Sequence, residues 1–593
     1  MKRIIAALLC VMLLLCASGC SLLPFFAFMG KNDGDKSSQD EEFAAFMEDE
    51  FIDTAGSDTV TMHFLLTDPE KSGVERPEVS FGSGYELADY EEGKDELKEF
   101  LVSLDKFDES RLSEDNARRL EFLREYAENK LELYNYPQFD TLLDAQYGVA
   151  SNLPSTLTSY KFYCEQDIKD YLELLGQIPD LFKKCLAFES DKDEEHRMAQ
   201  FTIDNAIKQI DVFLNGNGDA LIDTFKQRID GADFLTQDKA NEYISQNEKL
   251  VNDTVVTAYK DLKTGLEKFD AGKRDKGLSH YKDGKEYYAL LLKSMTYSDR
   301  SPEEMMAALV ARYNELISRM SQASQNYNGD IFSLFGKIDL GEYSAKDILK
   351  NLCEKADEKF PELDGISYTV DEIPEVLQQE NTLAYYVLAP LDAQTDNEIY
   401  YKPNEGDDAE FFMTLAHEGY PGHMYQWNYL LQNDEPRLLM SLDTTGLMEG
   451  WAMYSQLSSL DFMDCGKYDK NAVKQIYSIN TEFNYLICSL ADLLVNYSGD
   501  DRDELYKELS EMGVDRETSD DLYESSIDTP GLYLRYYMSC LELLTLREDV
   551  YAELKKNFDE KEFNRAVLDA GICYFDQLNE AVTNELTDAK AAA

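Results

Sequence analysis

The segment that most constrains how this chain can fold reads TLAHEGYPGHMYQ and spans residues 414–426. It contains His417, Glu418 and His423, and the whole chain has only five histidines. A histidine followed by a glutamate, with a second histidine shortly after, is typical of a helix that binds zinc. In the usual motif the histidines stand at positions i and i+4, whereas here the second stands at i+6.

The residues between the two histidines explain how this spacing can still serve one metal ion. On a regular helix, positions i and i+6 point about 120° apart, so the two imidazoles would not meet. Pro421 lacks the N–H that would bond the His417 carbonyl, and it pushes Tyr420 away from helical angles. Gly422 can adopt the backbone angles that restore the path. We therefore predict that the helix breaks or bulges between Tyr420 and Gly422. The alternative is a proline-kinked helix with two unrelated histidines.

A third candidate ligand, Glu449, stands in the segment DTTGLMEGWAMY, residues 443–454. Thr444 or Thr445 suits the N-cap of a helix whose first turns contain Glu449. The neighbouring residues are apolar, and a carboxylate there is costly unless it is paired or binds a metal. Catalytic zinc usually has three protein ligands and a water, so we interpret Glu449 as the third ligand. The alternative is a glutamate stabilised by the helix dipole.

Two further roles follow from this metal hypothesis. Glu418, next to the first histidine, would act as the general base toward a water that the metal activates. The segment DTPGLYLRYY, residues 528–537, predicts a helix capped by Thr529 and begun by Pro530. A tyrosine or arginine of that helix could stabilise the oxyanion of a tetrahedral intermediate. The alternative for these tyrosines is packing, since the chain has 38 of them.

The N-terminus indicates export and a lipid anchor. Lys2 and Arg3 precede an apolar run of about a dozen residues, shorter than the roughly 20 of a membrane span. Small residues then lead to Cys20, a pattern that resembles a bacterial lipobox. We predict a signal peptide over residues 1–19, lipid on Cys20, and a flexible tether over residues 20–44. The alternative is a plain signal peptide in which Cys20 is incidental.

Composition restricts the partners. The 57 basic and 116 acidic residues give a net charge of −59, which repels nucleic acid and anionic lipid. No nucleic-acid partner is therefore expected, and membrane contact is expected only through the lipid on Cys20. The cysteines after Cys20 show no C-x-x-C spacing, which excludes a cysteine-type zinc site.

The hydrophobic pattern predicts a mainly α fold with a small sheet next to the active-site helix. Apolar residues recur at helical spacing before residue 330, and the helical pattern returns after residue 408. Between them, three short segments rich in β-branched and aromatic residues read as strands: 366–370, 383–388 and 398–401. Such a sheet could pair with an extended peptide or only pack under the helix.

The domain organisation predicted from this pattern has two parts after the tether. A helical N-terminal part covers residues 45–330, and a catalytic part with the sheet and the zinc-site helices covers residues 331–593. The two parts are expected to form one continuous structural unit.

The motifs taken together, His-Glu-x-x-Pro-Gly-His, Glu-Gly-Trp-Ala and Pro-Gly-x-x-x-x-Tyr in this order, resemble the bacterial family called domain of unknown function 885. That family is grouped with the gluzincins, the thermolysin-like zinc peptidases. The resemblance implies one zinc ion per chain, held by His417, His423 and Glu449, with Glu418 as the base and Tyr536 as the oxyanion stabiliser. It also implies a predominantly helical fold with a small sheet.

Two positions depart from the family pattern without touching this catalytic set. Met424 follows His423 where many members have a second histidine, and Ser539 stands where the helix after Pro-Gly often has glycine.

The sequence therefore predicts a lipid-anchored extracytoplasmic zinc metallohydrolase, with a peptidase favoured and a peptide or small amide as substrate. Two alternatives stay open: a non-catalytic surface lipoprotein that binds peptides or another solute, and a hydrolase of non-peptide amides. The identity of the substrate, the position of cleavage and the oligomeric state do not follow from the sequence.

Overall fold

The computed structural model of the chain describes residues 36–336, 338–339, 344–373, 383–393, 397–403 and 407–591. The expected signal peptide, residues 1–19, and the expected lipidation site, Cys20, lie outside these ranges. Within them, no helix is both long and apolar enough to cross a membrane.

Helices dominate the chain, which confirms the mainly α fold predicted from the hydrophobic pattern. The helices before the sheet are α1 (Lys36–Ala55), α2 (Thr59–Leu65), α3 (Leu87–Leu104), α4 (Glu114–Leu133), α5 (Val149–Ser159), α6 (Glu165–Asp191), α7 (Gln200–Asn215), α8 (Asp219–Asp230), α9 (Gln237–Leu250), α10 (Val256–Glu267), α11 (Gly284–Thr296), α12 (Pro302–Asn326) and α13 (Ala345–Ala356). A π-helical turn, Val251–Val255, joins α9 to α10.

The sheet has three short strands close to the segments predicted for them: β1 (Tyr368–Glu372), β2 (Ala384–Val387) and β3 (Asn397–Tyr401). Its strand order is β1-β3-β2, with β1 parallel and β2 antiparallel to β3. Since β3 lies in the middle, β2 forms one edge of the sheet. That edge faces the first helix of the catalytic segment, because the backbone N–H of Tyr386 donates to Glu418.

The chain after the sheet is again helical. Its helices are α14 (Asp408–Glu418), α15 (His423–Gln432), α16 (Arg437–Ser441), α17 (Thr445–Ser459), α18 (Lys470–Leu493), α19 (Arg502–Glu511), α20 (Arg516–Asp528), α21 (Leu532–Leu554), α22 (Glu560–Asp569) and α23 (Phe575–Ala591).

The buried apolar side chains form two clusters. The larger cluster combines residues 43–139 with residues 278–582, so the first helices and the catalytic helices share one core. The smaller cluster consists mainly of residues 143–266, with a few contributions from residues 60–85. Side chains from both sides of residue 330 belong to the larger cluster. The domain boundaries expected from the sequence stay a prediction.

One correction concerns the tether expected over residues 20–44, because α1 already begins at Lys36. Phe43 is fully buried in the larger cluster, and its ring contacts that of Phe107 with centroids 5.0 Å apart. The carboxylate of Asp40 accepts hydrogen bonds from the backbone N–H and the hydroxyl of Ser113. These contacts hold residues from about 40 onward in the folded body. The charged composition of the segment had instead indicated a flexible tether.

Candidate metal centre

The helix that carries His417 breaks between the two histidines, as the sequence predicted. Helix α14 ends at Glu418 and α15 begins at His423. The break starts at Gly419, one residue earlier than predicted, and contains a cis peptide bond between Tyr420 and Pro421. The backbone N–H of Gly422 donates to the carbonyl of Ala416 at 2.9 Å, a bond that a regular helix does not make.

Close packing explains why both ends of the break are glycines. A Cβ atom on Gly422 would lie 1.8 Å from the His417 carbonyl oxygen. A Cβ atom on Gly419 would lie 2.3 Å from the side chain of Leu349. Both residues have negative φ angles, so the requirement comes from contacts with neighbouring atoms rather than from left-handed backbone.

The break brings His417 and His423 together with Glu449. The two imidazole rings lie 4.7 Å apart between centroids and are nearly perpendicular, at 86°. Oε2 of Glu449 lies 3.2 Å from Nε2 of His417 and 3.6 Å from Nε2 of His423. All three side chains are buried, and each offers a ligand atom within 4.8 Å of the others. We refer to these three residues as the triad.

Helix α17 is held in the position that places Glu449 in the triad. Its start is fixed by Asp443, whose carboxylate accepts from the backbone N–H and hydroxyl of Thr445. A Cβ atom on Gly450 would lie 2.5 Å from Cβ of Ser539, so glycine permits the close contact with α21. The indole N–H of Trp451 donates to the Pro421 carbonyl at 2.9 Å, which ties α17 to the break.

The unsatisfied polar atoms of the triad suit a bound cation. Both carboxylate oxygens of Glu449 and both ring nitrogens of His423 are buried without a hydrogen-bond partner among the described residues. Burial alone would raise the pKa of Glu449, but the charge of His423 and the close approach of His417 hold it below its ordinary value. Two imidazoles and one carboxylate are a donor set of catalytic zinc, with a position left for water. These residues could therefore hold a metal ion.

Glu418 lies beside the triad and is fully buried. Its Oε2 accepts the Tyr386 backbone N–H of β2 at 3.1 Å, whereas its Oε1 has no hydrogen-bond partner among the described residues. Burial raises the pKa of Glu418 to about 8, although nearby His417 opposes the shift. The strand thus orients one oxygen of this carboxyl group and leaves the other available for a proton.

Gln456 is a site residue that the sequence analysis missed. Its Oε1 lies 3.1 Å from Nδ1 of His417, the ring nitrogen opposite the one that faces Glu449. Such a partner fixes the orientation of a metal-binding histidine and the nitrogen that carries its proton. Gln456 follows Glu449 by two helical turns on α17, so the two side chains share one face. This spacing could have suggested the residue.

Two tyrosines, Tyr536 and Tyr485, lie near the acidic groups of the site. Tyr536 is buried on α21, and its ring stacks on that of Tyr485 from α18, with centroids 5.9 Å apart. Burial first, and then the charge of Glu449, raise the pKa of both phenols well above its ordinary value. The charge of Glu418 adds to this effect at Tyr485. The sequence motif pointed to Tyr536, but nothing in it marked Tyr485.

The start of α21 differs from the prediction. Thr529 and Pro530 do not begin this helix, since α21 starts at Leu532 and Thr529 follows the end of α20. Gly531 stands between the helices with φ at +81°, in the left-handed region that favours glycine. Its backbone N–H donates to the buried carboxyl group of Asp492 at 2.9 Å. This bond fixes the point from which α21 carries Tyr536 into the site.

The fold is shared with two solved structures of low sequence identity. A protein from Colwellia psychrerythraea that is described as a lipoprotein has 18% identity and a TM-score of 0.76, covering 93% of this chain and 99% of its own. A protein from Shewanella oneidensis, described as a lipoprotein of unknown function, has 13% identity and a TM-score of 0.57, covering 93% and 100%. At these identities the likeness concerns the fold alone.

The similarity to other proteins is weaker still. A protein from Bacillus anthracis that is described as an oligoendopeptidase F has 10% identity and a TM-score of 0.28, covering 84% of this chain and 95% of its own. That likeness is too weak to support an argument. No curated protein matches the sequence significantly.

The family comparison agrees with the motifs and covers most of the chain. The model of the family described as "Bacterial protein of unknown function (DUF885)" matches residues 80–582, a span that includes the break, the triad and α21. The chain therefore belongs to the bacterial DUF885 family.

Proposed function

We propose that this protein is a zinc-dependent hydrolase that cleaves peptides outside the cytoplasm. The observation that carries the proposal is the buried triad, in which the Glu449 oxygens and the His423 nitrogens have no hydrogen-bond partner among the described residues. Beside it lies Glu418, one of whose oxygens likewise has no such partner. A structural site would satisfy these atoms within the protein, since leaving buried polar groups unpaired is costly. The ligand atoms of the triad lie within 4.8 Å of one another, which supports a metal ion bound between them. The adjacent Glu418 supports a reacting group beside that ion.

The residues that would hold the metal are His417, His423 and Glu449. Zinc, when bound there, would lower the pKa of a coordinated water to roughly 7 and polarise a substrate carbonyl. Gln456 would keep the proton of His417 on Nδ1, so that Nε2 presents its lone pair. The fixed break and the tryptophan bond to α17 would keep the histidines and the glutamate at the same separation during turnover.

Glu418 would move the proton. Its Oε2 is held by β2, so its Oε1 would accept the proton of the attacking water and later return it to the leaving amine. Tyr536, or the neighbouring Tyr485, would donate its phenolic hydrogen to the developing oxyanion. The edge strand β2 could hold an extended peptide by backbone pairing close to this carboxyl group.

The decisive test of this function combines zinc content with hydrolysis. The protein, purified without chelators, is incubated with a mixed peptide library with and without chelator, beside Glu418→Gln. We expect cleavage that depends on zinc, and a loss of roughly 10²- to 10⁴-fold in rate when the base is replaced, with zinc retained. Zinc without cleavage of any peptide would favour a solute-binding lipoprotein or a hydrolase of other amides.

The proposed location is the outer side of the cell membrane, with lipid on Cys20. It rests on Lys2, Arg3, the apolar run that follows them and the small residues before Cys20. Two solved structures that share the fold are described as lipoproteins. The test is to express the whole chain in bacteria fed a radioactive fatty acid. Label should enter the unmodified chain and be absent from Cys20→Ala, and equal labelling would contradict the anchor.

A further inference from the structure

A cavity of about 520 Å³ is lined by Asp443, just before α17, and by the start of α21, the two helices that carry Glu449 and Tyr536. Neither the triad nor Glu418 lines it, but Arg535 and Leu532 from the start of α21 do. Tyr147 also lines the cavity and is one of the groups that raise the pKa of Tyr536. Arg535 directly precedes Tyr536 on α21, so the helix that carries Tyr536 also borders the cavity. Its volume is in the range of pockets that hold small ligands.

The cavity contains a buried arginine that forms no close ion pair with any described residue. Arg274 is 5% exposed, and its Nη1 donates to the hydroxyl of Thr141 at 2.7 Å. Among the described residues, no carboxylate lies within 4.0 Å of its guanidinium group, whereas the nearby buried Lys192 pairs with Glu189 at 2.8 Å. A buried charge is costly unless it is paired, so the position of Arg274 calls for an anion.

The acidic residues of the cavity are already engaged elsewhere. Asp140, Asp144 and Asp528 accept hydrogen bonds from tyrosine hydroxyls, backbone N–H groups and a threonine hydroxyl, respectively. Burial raises the pKa of Asp144 to about 6 and that of Asp528 to about 7, although the charge of Arg274 opposes the shift at Asp528. Other donors therefore hold these three carboxylates, and none of them forms an ion pair with Arg274 within 4.0 Å.

We propose that this cavity receives the C-terminal end of a short peptide substrate, and that Arg274 binds its carboxylate. The inference rests on the proposed function, because it takes the scissile amide to lie at the triad. A guanidinium group matches a carboxylate in shape and forms two parallel hydrogen bonds with it. The enzyme would then act near the free C-terminus of peptides. The number of residues in the preferred peptide would measure the distance from the triad to Arg274, because an extended chain spans about 3.3–3.6 Å per residue.

The test compares peptides that differ only in this carboxylate. Alanine peptides of two to six residues, each as the free acid and as the C-terminal amide, are titrated calorimetrically into the zinc-loaded Glu418→Gln protein, which cannot turn them over. We expect the free acid of the best length to bind roughly 10- to 100-fold more tightly than its amide. This comparison needs no change at Arg274. Equal affinities, or no binding of either form, would overturn the inference.

Variants then locate the effect. Arg274→Gln should remove the preference for the free acid, and Arg274→Lys should restore part of it. The matched control is Arg228→Gln, which changes a partly buried arginine that bonds the Tyr160 carbonyl at 2.8 Å and does not line the cavity. It should keep the full preference. A full preference in Arg274→Gln would contradict the assignment.

Hydrolysis separates this inference from the proposed function. Zinc-dependent cleavage of acids and amides at equal rates would leave the function standing and reject the role of Arg274. Binding of the free acids without any cleavage by the unmodified zinc protein would support the role of Arg274 and reject the proposed function.

Discussion

Two buried glutamates on helices that both pack against α21 show opposite arrangements. Glu482 of α18 accepts from Arg312 at 2.7 Å and from Tyr537 at 3.3 Å with one oxygen, and from Arg319 at 3.1 Å with the other. Glu449 of α17 is equally buried, yet both of its oxygens lack a hydrogen-bond partner among the described residues. It faces two imidazoles instead.

The difference shows which feature indicates function. Burial of a carboxylate is common to both sites, so burial alone does not distinguish them. At Glu482 the protein supplies the charges and the donors, which is how buried ion pairs connect helices. At Glu449 the facing groups are imidazole nitrogens, which can serve as metal ligands, so that the carboxylate can bind an external cation together with them. The predictions below test this contrast.

The largest expected effects come from replacing each glutamate by glutamine. Glu482→Gln should lower the free energy of unfolding by about 3–5 kcal/mol, because it removes the buried counter-ion that buried Arg312 shares with partly buried Arg319. It should still bind one zinc ion. Glu449→Gln should lose zinc. Measured without metal, this variant should lose less of its free energy of unfolding than Glu482→Gln does. Chemical denaturation and metal analysis give both quantities for each variant.

The opposite pattern would contradict the comparison. If Glu482→Gln lost zinc while Glu449→Gln kept it, the roles assigned to the two carboxylates would be wrong.

The break should tolerate no side chain at its second glycine. Gly422→Ala should destabilise the chain by about 1–3 kcal/mol and weaken zinc binding, because a Cβ atom would press on the carbonyl of His417. Thermal unfolding and competitive zinc titration measure these effects.

The matched control is Gly176→Ala within α6, where a Cβ atom would contact nothing within 4 Å. It should stabilise the helix by up to about 1 kcal/mol. Equal effects of the two substitutions would show that the break does not depend on close packing.

A smaller effect is expected at Gln456. Gln456→Ala should reduce zinc affinity roughly 10- to 100-fold, since His417 loses the partner that fixes its ring. Competition with a fluorescent chelator measures the affinity. Gln432→Ala, at the end of α15, serves as control, because Gln432 bonds only the backbone of Asp364. An unchanged affinity in Gln456→Ala would mean that the triad is oriented without it.

The sequence predicted the features of this site that depend on local chemistry. Pro421 and Gly422 predicted the break, because proline and glycine constrain or free the backbone wherever they stand. The apolar surroundings of Glu449 predicted that it needed a partner. The richness of three short segments in β-branched and aromatic residues placed the three strands to within two residues.

The remaining features depend on contacts between distant segments. Tyr485 reaches the site from α18, and only packing against α21 brings it beside Tyr536. The order of the strands and the pairing of β2 with Glu418 likewise follow from tertiary structure. The tether was predicted too long because charge hid the apolar face of α1.

The most direct test of the account is the zinc content of the protein, purified without chelators and then exposed to zinc. We expect one zinc ion per chain, lost in each of His417→Ala, His423→Ala and Glu449→Gln and retained in Glu482→Gln. A chain that binds no zinc, or that keeps its zinc when all three triad residues are replaced, would contradict it.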